Sequence, residues 1–376
     1  MKKVLYIGGF IMPDGNAAAQ RVLGIAKTLR ACGCEVRFCG LNHSGNNIEG
    51  EIDDFQFINF PYPSNPLNWL SYLTGKDYAC DEILNYQPDI VILYNHPALA
   101  IEHIVKICHR RGIKTVADVT EWYEARGNII FKIIKSWDVK RRMNVSHRKV
   151  DGLICVSRFL KEFYNNIEGL PVVEVPPLID KEQLKWHQKP IGKAEGVKLV
   201  YAGSPGCSKD RLDLVLNTID EIMSELNRPI SFDIIGVSHS QYMKIWKDNK
   251  EYAFANFLGR IPHKEVIRRL LGADFQIFLR PDNLMNKAGF PTKYVETVSS
   301  GTLPITNLSS NLSEYISDGI NGFIVRSLSH EDIKVTVRDA INTSRDKISG
   351  MKKNLYRNIF DYHNYIQSIK NFIEVL

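Results

Sequence analysis

The chain writes the same local pattern twice: a short β-branched run, a glycine-rich loop, then a helix. "VLYIGGFIMPDGNAAAQRVLGIA" opens the sequence, and "KLVYAGSPGCSKDRLDLVLNTI" restarts it near residue 198. In the first copy, Val22, Ile25, Ala26 and Leu29 recur at helical spacing over 17–31. Further strands are expected at "CEVRFCG" (34–40), "DIVILYN" (89–95), "KTVADV" (114–119) and "GLICVS" (152–157). The second half repeats the alternation at "ISFDIIG" (230–236), "ANFLGRI" (255–261), "DFQIFLR" (274–280) and "LPITN" (303–307). Strands alternating with helices predict parallel sheets covered on both faces. Between the halves, Pro171, Pro176, Pro177 and Pro190 break the helical period. A chain of 376 residues is also too long for one ordinary core. The expected fold is therefore α/β, with two Rossmann-like, doubly wound parallel-sheet domains facing a central cleft. The first spans 1–178, a linker 179–196, the second 197–355, and 356–376 is expected to return as a helix to the first domain. In such sheets ligands gather at the carboxyl ends of the strands.

Several classes are excluded early. Neither glycine loop fits G-x-G-x-x-G or G-x-x-x-x-G-K-[ST], which argues against a dinucleotide dehydrogenase and a P-loop nucleotidase. The sequence holds no Asp-x-Asp pair, so a carboxylate-bridged metal diphosphate site lacks its ligands, and neither metal nor other cofactor is expected. A net charge of +6 suits an acidic ligand or an anionic membrane surface and is too small to argue for nucleic acid. The seven cysteines form no C-x-x-C pair; most sit in apolar runs and are expected to be reduced core residues. The opening "MKKVLYIGGF" reads as a first strand rather than a signal peptide.

In the second loop, "AGSPGCSKD", Gly203 and Gly206 permit tight turns, Pro205 fixes one φ, and Asp210 is expected to cap the next helix. Backbone N–H groups and a helix start then converge on one point, with Lys209 beside them, an arrangement that suits a phosphate. An ordinary turn with a solvated lysine fits the same residues.

"AGFPTKYVETVSSGTLPI" (288–305), "EYISDGINGFIV" (314–325), "LGRIPHKEV" (258–266), "LICVSRFLKEFY" (153–164) and the "YAGSPGCSKD" loop together resemble the retaining glycosyltransferases of family four, which have the GT-B fold. The resemblance is strong over 197–325 and looser toward the N-terminus. It implies that Glu296 binds the ribose hydroxyls of a nucleotide sugar and that Lys209 grips its diphosphate. It also marks two departures: Ala288 stands where the family has a first glutamate, and Ser204 where it has an arginine. Charge from Arg280 and Lys293 is expected to replace the missing arginine. Gly289, Phe290 and Pro291 form a turn, Thr292 is expected to cap the following helix, and Asn286 is expected near the donor sugar. On the first loop the resemblance places Gly9 and Asn16, with Gly8, Asp14 and Gly15, toward the donor and acceptor. Asp118, Glu121 and His96 are the catalytic or acceptor-holding candidates, although a helix cap, a solvated carboxylate and a packed histidine fit them as well.

The segment 129–149, "IIFKIIKSWDVKRRMNVSHRK", mixes large apolar residues with Lys132, Lys135, Lys140, Arg141, Arg142, Arg148 and Lys149 and has one acid, Asp138. It is expected to lie on an anionic membrane or to form a surface helix with a wet basic face. The overall expectation is a cytoplasmic enzyme, peripheral on the inner face of the membrane. It would move a sugar from a UDP- or GDP-sugar, with retention, to a glycan or lipid-linked acceptor of a surface polysaccharide. A GT-B sugar-nucleotide epimerase and a non-catalytic nucleotide-sugar-binding homologue stay open beside it.

Overall fold

A computed structural model describes every residue except 14, 15, 125, 126, 192–195 and 227, together with the side chain of Ile130. The chain divides into two compact units. The first comprises Met1–Ile179, Ala288–Phe290 and Asp361–Leu376; the second comprises Asp180–Lys287 and Pro291–Phe360.

The first unit runs β1 (Lys2–Gly8), α1 (Ala17–Ala31), β2 (Cys34–Asn42), β3 (Ile48–Ile52), β4 (Phe55–Pro61), α2 (Pro66–Thr74), α3 (Tyr78–Tyr86), β5 (Ile90–Tyr94), α4 (Ala98–His109), β6 (Lys114–Val119), α5 (Ile129–Asn144), β7 (Gly152–Cys155), α6 (Arg158–Tyr164) and β8 (Val172–Glu174). Its sheet has the order β3-β4-β2-β1-β5-β6-β7-β8. The pairs are parallel except β3 with β4, which form an antiparallel edge hairpin. That hairpin adds an antiparallel edge to the expected parallel sheet. Its turn uses Asp53 and Asp54, both at positive φ, the left-handed geometry that a two-residue hairpin loop requires. The central strands are apolar on both faces: "IVILY" of β5 is buried at every residue, as a sheet covered on both sides demands. Gly8, at the end of β1, has a steric reason: a Cβ there would lie 2.4 Å from the Tyr94 carbonyl oxygen.

The second unit runs β9 (Val197–Ala202), α7 (Leu212–Ile222), β10 (Ile230–Ile235), α8 (His239–Trp246), β11 (Ala255–Gly259), α9 (His263–Leu271), β12 (Phe275–Phe278), α10 (Leu284–Ala288), α11 (Thr292–Ser300), β13 (Leu303–Thr306), β14 (Phe323–Ile324), α12 (His330–Asn342) and α13 (Arg345–Lys353). Its sheet is parallel, in the order β11-β10-β9-β12-β13-β14. The final helix, α14 (Ile366–Glu374), belongs to the first unit, where it packs on α1 and Lys2 Nζ donates to its Ile373 carbonyl.

Candidate functional site

In the second unit, the loop after β9 is closed on itself. Gly206 N–H donates to the Asp210 carbonyl at 3.2 Å, and Asp210 N–H donates to the Gly206 carbonyl at 3.0 Å. Lys209 is thereby held exposed at the loop's tip. Asp210 does not cap α7 as expected; Arg211 occupies the cap position, and no side chain caps that helix. Asp210 is instead buried, accepts a hydrogen bond from the Tyr201 hydroxyl at 3.0 Å, and pairs with the Lys293 ammonium. Lys293 lies 4.6 Å over the Tyr201 ring and 5.6 Å from the Phe278 ring. Burial pulls its pKa down, and Asp210 pulls it back up. Arg280 and Lys209 are both close enough to push it down further. Gly203 has a positive φ, and a Cβ there would lie 2.8 Å from Lys293 Nζ, so a larger residue would displace the ammonium.

Arg280 is buried at the end of β12. Its guanidinium donates to Ser309 Oγ at 3.2 Å, and its backbone N–H donates to Asn307 Oδ1 at 2.7 Å. Among the described residues it makes no ion pair. Burial lowers its pKa, partly offset by Asp210 and Tyr201. Three cations thus gather near one carboxylate, a surplus of about two positive charges; Lys209 is exposed, whereas the Arg280 charge is buried and calls for an anion.

Asn286 is buried and donates to the Ser208 carbonyl at 3.1 Å and the Pro281 carbonyl at 2.8 Å. With Asn283, which also donates to Ser208, it ties the segment before α11 to the glycine loop. Among the described residues its Oδ1 has no hydrogen-bond partner. Thr292 does not cap α11, a correction to the expectation: it is the first helical residue, and Pro291 sits at the cap with no side-chain bond. The first turn is therefore left with its own positive dipole end uncapped by any side chain. Glu296, one turn further, is half-buried and lies 2.8 Å from His263 Nε2 at the start of α9. Ser204 is exposed.

In the first unit, Ala288, Gly289 and Phe290 are buried, and the Ala288 carbonyl accepts a hydrogen bond from Ser157 Oγ at 2.6 Å. Asn16 caps α1 by accepting from Ala19 N–H at 2.9 Å. Gly9 is exposed with open space around it, while Asp14 and Gly15 lie outside the described residues. Asp118 is corrected from a substrate-facing candidate to a core residue. It is 1% exposed, with one oxygen 2.6 Å from Arg21 Nη2 and the other 2.6 Å from the Tyr6 hydroxyl. His96 is likewise 1% exposed, beside the Tyr72 ring. Burial lowers its pKa to about 4, so it is neutral near pH 7. Glu121 is half-buried and interacts with the Tyr123 hydroxyl. In the basic segment, Arg142 is corrected from a wet to a buried residue, 5.3 Å from the Tyr123 ring. Cys207 is an exception to the core reading of the cysteines: it is exposed in the glycine loop.

Sequence reasoning missed Tyr201 and His263. Each carries a signal only in hindsight of the fold, as the penultimate residue of β9 and the first of α9. It also gave Asp210 the wrong partner.

Comparison with known proteins fits this architecture. Residues 18–183 match the family model described as Glycosyltransferase Family 4, and residues 187–358 match Glycosyl transferases group 1. Similar solved structures include Anabaena HepE in complex with UDP and glucose, at 13% identity and TM-score 0.67, with both chains covered in full. A glycosyltransferase from Rickettsia africae shares 14% identity at TM-score 0.70, covering 100% of this chain and 98% of that one. The catalytic domain of starch synthase IV from Arabidopsis thaliana, bound to ADP and acarbose, shares 11% at TM-score 0.68, covering 100% and 99%. No curated protein sequence matches the chain. Two Rossmann-like parallel-sheet units with this pair of matches define a GT-B enzyme. The chain belongs to the glycosyl transferases of group 1.

Proposed function

We propose that this glycosyltransferase takes its sugar from a nucleoside-diphosphate donor and transfers it with retention to a glycan or lipid-linked acceptor of a surface polysaccharide. The observation that carries the donor reading is the cation cluster of Lys209, Arg280 and Lys293 around Asp210, beside the uncapped first turn of α11. Its surplus of about two positive charges matches a diphosphate. UDP and ADP in the similar structures support the same reading.

In this reading each residue has a role. Lys209 and Arg280 pair the phosphates, and Lys293 joins them as its bond to Asp210 is shared. Glu296, held by His263, accepts the ribose hydroxyls. Asn286 Oδ1 meets the sugar. In this reading the leaving diphosphate assists deprotonation of the acceptor, and the protein contributes positioning and charge stabilisation. The membrane reading of residues 129–149 places the enzyme where a lipid-linked acceptor would be.

Calorimetric titration with UDP and GDP, followed by donor turnover and NMR assignment of the product anomer, tests the proposal. Nucleotide binding without turnover or acceptor transfer favours the non-catalytic reading, for which the buried Ala288 at the family's glutamate position is the specific observation. Absence of any nucleotide binding overturns both.

A further inference from the structure

Helix α5 is packed along only half its length. Asp138, Val139, Arg142 and Met143 are buried, whereas Ile129, Phe131, Ile133, Ile134 and Trp137 are each at least half exposed. Helix α2 is similar: Tyr72 is its one buried residue, and Leu67, Trp69 and Leu70 are exposed. A helix that shows large apolar side chains on several sides is ordinarily buried in something. Such a concentration in two short helices marks an interaction surface rather than scattered exposure.

The two helices are linked. Both pack on α4, whose first-turn Leu99 is exposed as well. Trp69 contacts Tyr72 at 6.1 Å, Tyr72 contacts His96 at 6.0 Å, and Arg142 of α5 donates to the His96 carbonyl at 3.5 Å. Their charges identify the occupant. Helix α2 has no charged residue. Helix α5 exposes Lys132 and Lys140, while its one acid, Asp138, is buried, accepting from Ala98 N–H at 2.8 Å and paired with Lys135 at 3.4 Å. An apolar surface whose exposed charges are positive complements anionic lipid headgroups over an acyl layer.

We propose that α2 and α5 together form a two-part docking surface by which the first unit lies on an anionic bilayer, with α2 inserting as an uncharged wedge and α5 supplying both apolar side chains and lysines. The inference deepens the membrane component of the proposed function by adding a helix outside the basic segment.

Flotation with phosphatidylcholine vesicles, with and without phosphatidylglycerol, tests it. The intact chain is expected to float with the anionic vesicles and to release partly as salt rises. Leu67→Ser with Leu70→Ser, and separately Ile133→Ser with Trp137→Ser, are each expected to lower partitioning on the order of tenfold. Lys132→Gln with Lys140→Gln should remove most of the salt dependence. Thermal melting confirms that the variants fold, and UDP and GDP titration on the same variants separates lipid docking from donor binding. Unchanged nucleotide affinity with lost flotation supports the proposal, and flotation by a chain that binds no nucleotide supports it while overturning the donor reading. The proposal is overturned if the intact chain ignores anionic vesicles, if the α2 substitutions leave flotation unchanged, or if sedimentation shows a dimer that the same substitutions dissolve.

Discussion

Lys209 and Lys293 stand near the same point, yet their replacement is expected to have different effects. Lys209 is exposed and tethered only by its loop, so Lys209→Ala should weaken UDP or GDP binding by about 1.5–3 kcal/mol, the value of a hydrogen bond to a charged group. It should leave unfolding within about 0.5 kcal/mol of the parent, as surface changes do. Lys293 is paired with a buried carboxylate, so Lys293→Met takes the ion-pair partner from Asp210 and leaves it the Tyr201 hydroxyl. A loss of about 3 kcal/mol in stability is expected there, in addition to weaker binding. Denaturant unfolding and calorimetry on both variants check the contrast, and equal stability losses would show that the Lys293–Asp210 pair is not what the fold depends on. Glu296 gives a third test. If it receives the ribose, Glu296→Gln should weaken UDP or GDP binding more than pyrophosphate binding, and His263→Ala should reproduce part of that difference because His263 holds the carboxylate. Equal losses for nucleotide and pyrophosphate would remove Glu296 from the ribose.

At the scale of elements, most strands and the first helix were legible because parallel strands buried on both faces read as continuous apolar runs; α1 spans the predicted 17–31. The β3–β4 hairpin was not read. "IEGEI" is an exposed edge strand with little apolar content, so it carries no burial signal, and its two-aspartate turn is informative only once strands flank it. Within the site, local roles failed where a distant partner outcompeted a neighbouring backbone N–H. Asp210 takes Tyr201 and Lys293 instead of capping α7, and Asp118 takes Arg21, 97 residues away in the chain. Lys209, Arg280 and Lys293 were named from the family resemblance and their charge, whereas the carboxylate near them required the fold. The glycine loop itself offers a check at this scale. Cys207 is exposed beside Lys209, and the other cysteines are buried or half-buried. An alkylating reagent should therefore modify Cys207 first, and UDP or GDP occupying the loop should slow that modification several-fold. Modification unaffected by saturating nucleotide would place the nucleotide away from this loop.

For the whole molecule, the acid response should belong mainly to the first unit. His96 and His147 are buried there, and burial holds both neutral, His96 down to about 4 and His147 well below its ordinary value, with the Arg142 guanidinium pushing the same way. Unfolded, a histidine takes up its proton near pH 6.5. Between that pH and the folded value, the unfolded chain binds more protons than the folded one, so stability is full above about pH 6.5 and falls as the solution is acidified. A shift of the size seen at His96 corresponds to about 3 kcal/mol once fully developed. Asp77 works in the opposite direction. Burial raises its pKa to about 6, so the folded state gains a proton before the unfolded one, and stability rises as pH falls from about 6 toward 4. Two histidines outweigh one carboxylate, and the net expectation is a falling melting temperature for the first unit from pH 6.5 to 4.5. In scanning calorimetry, His96→Leu should flatten that fall. Asp77→Asn, which keeps the cap that Asp77 provides to α3, should steepen it because the opposing proton uptake is gone. In the second unit, the carboxylates with lowered pKa, Glu221, Asp248 and Asp332, titrate below this window, so a separate transition belonging to that unit should move little over the same range. A melting temperature for the first unit that stays constant from pH 6.5 to 4.5, or that His96→Leu leaves just as steep, would show that these histidines take up protons without unfolding their surroundings.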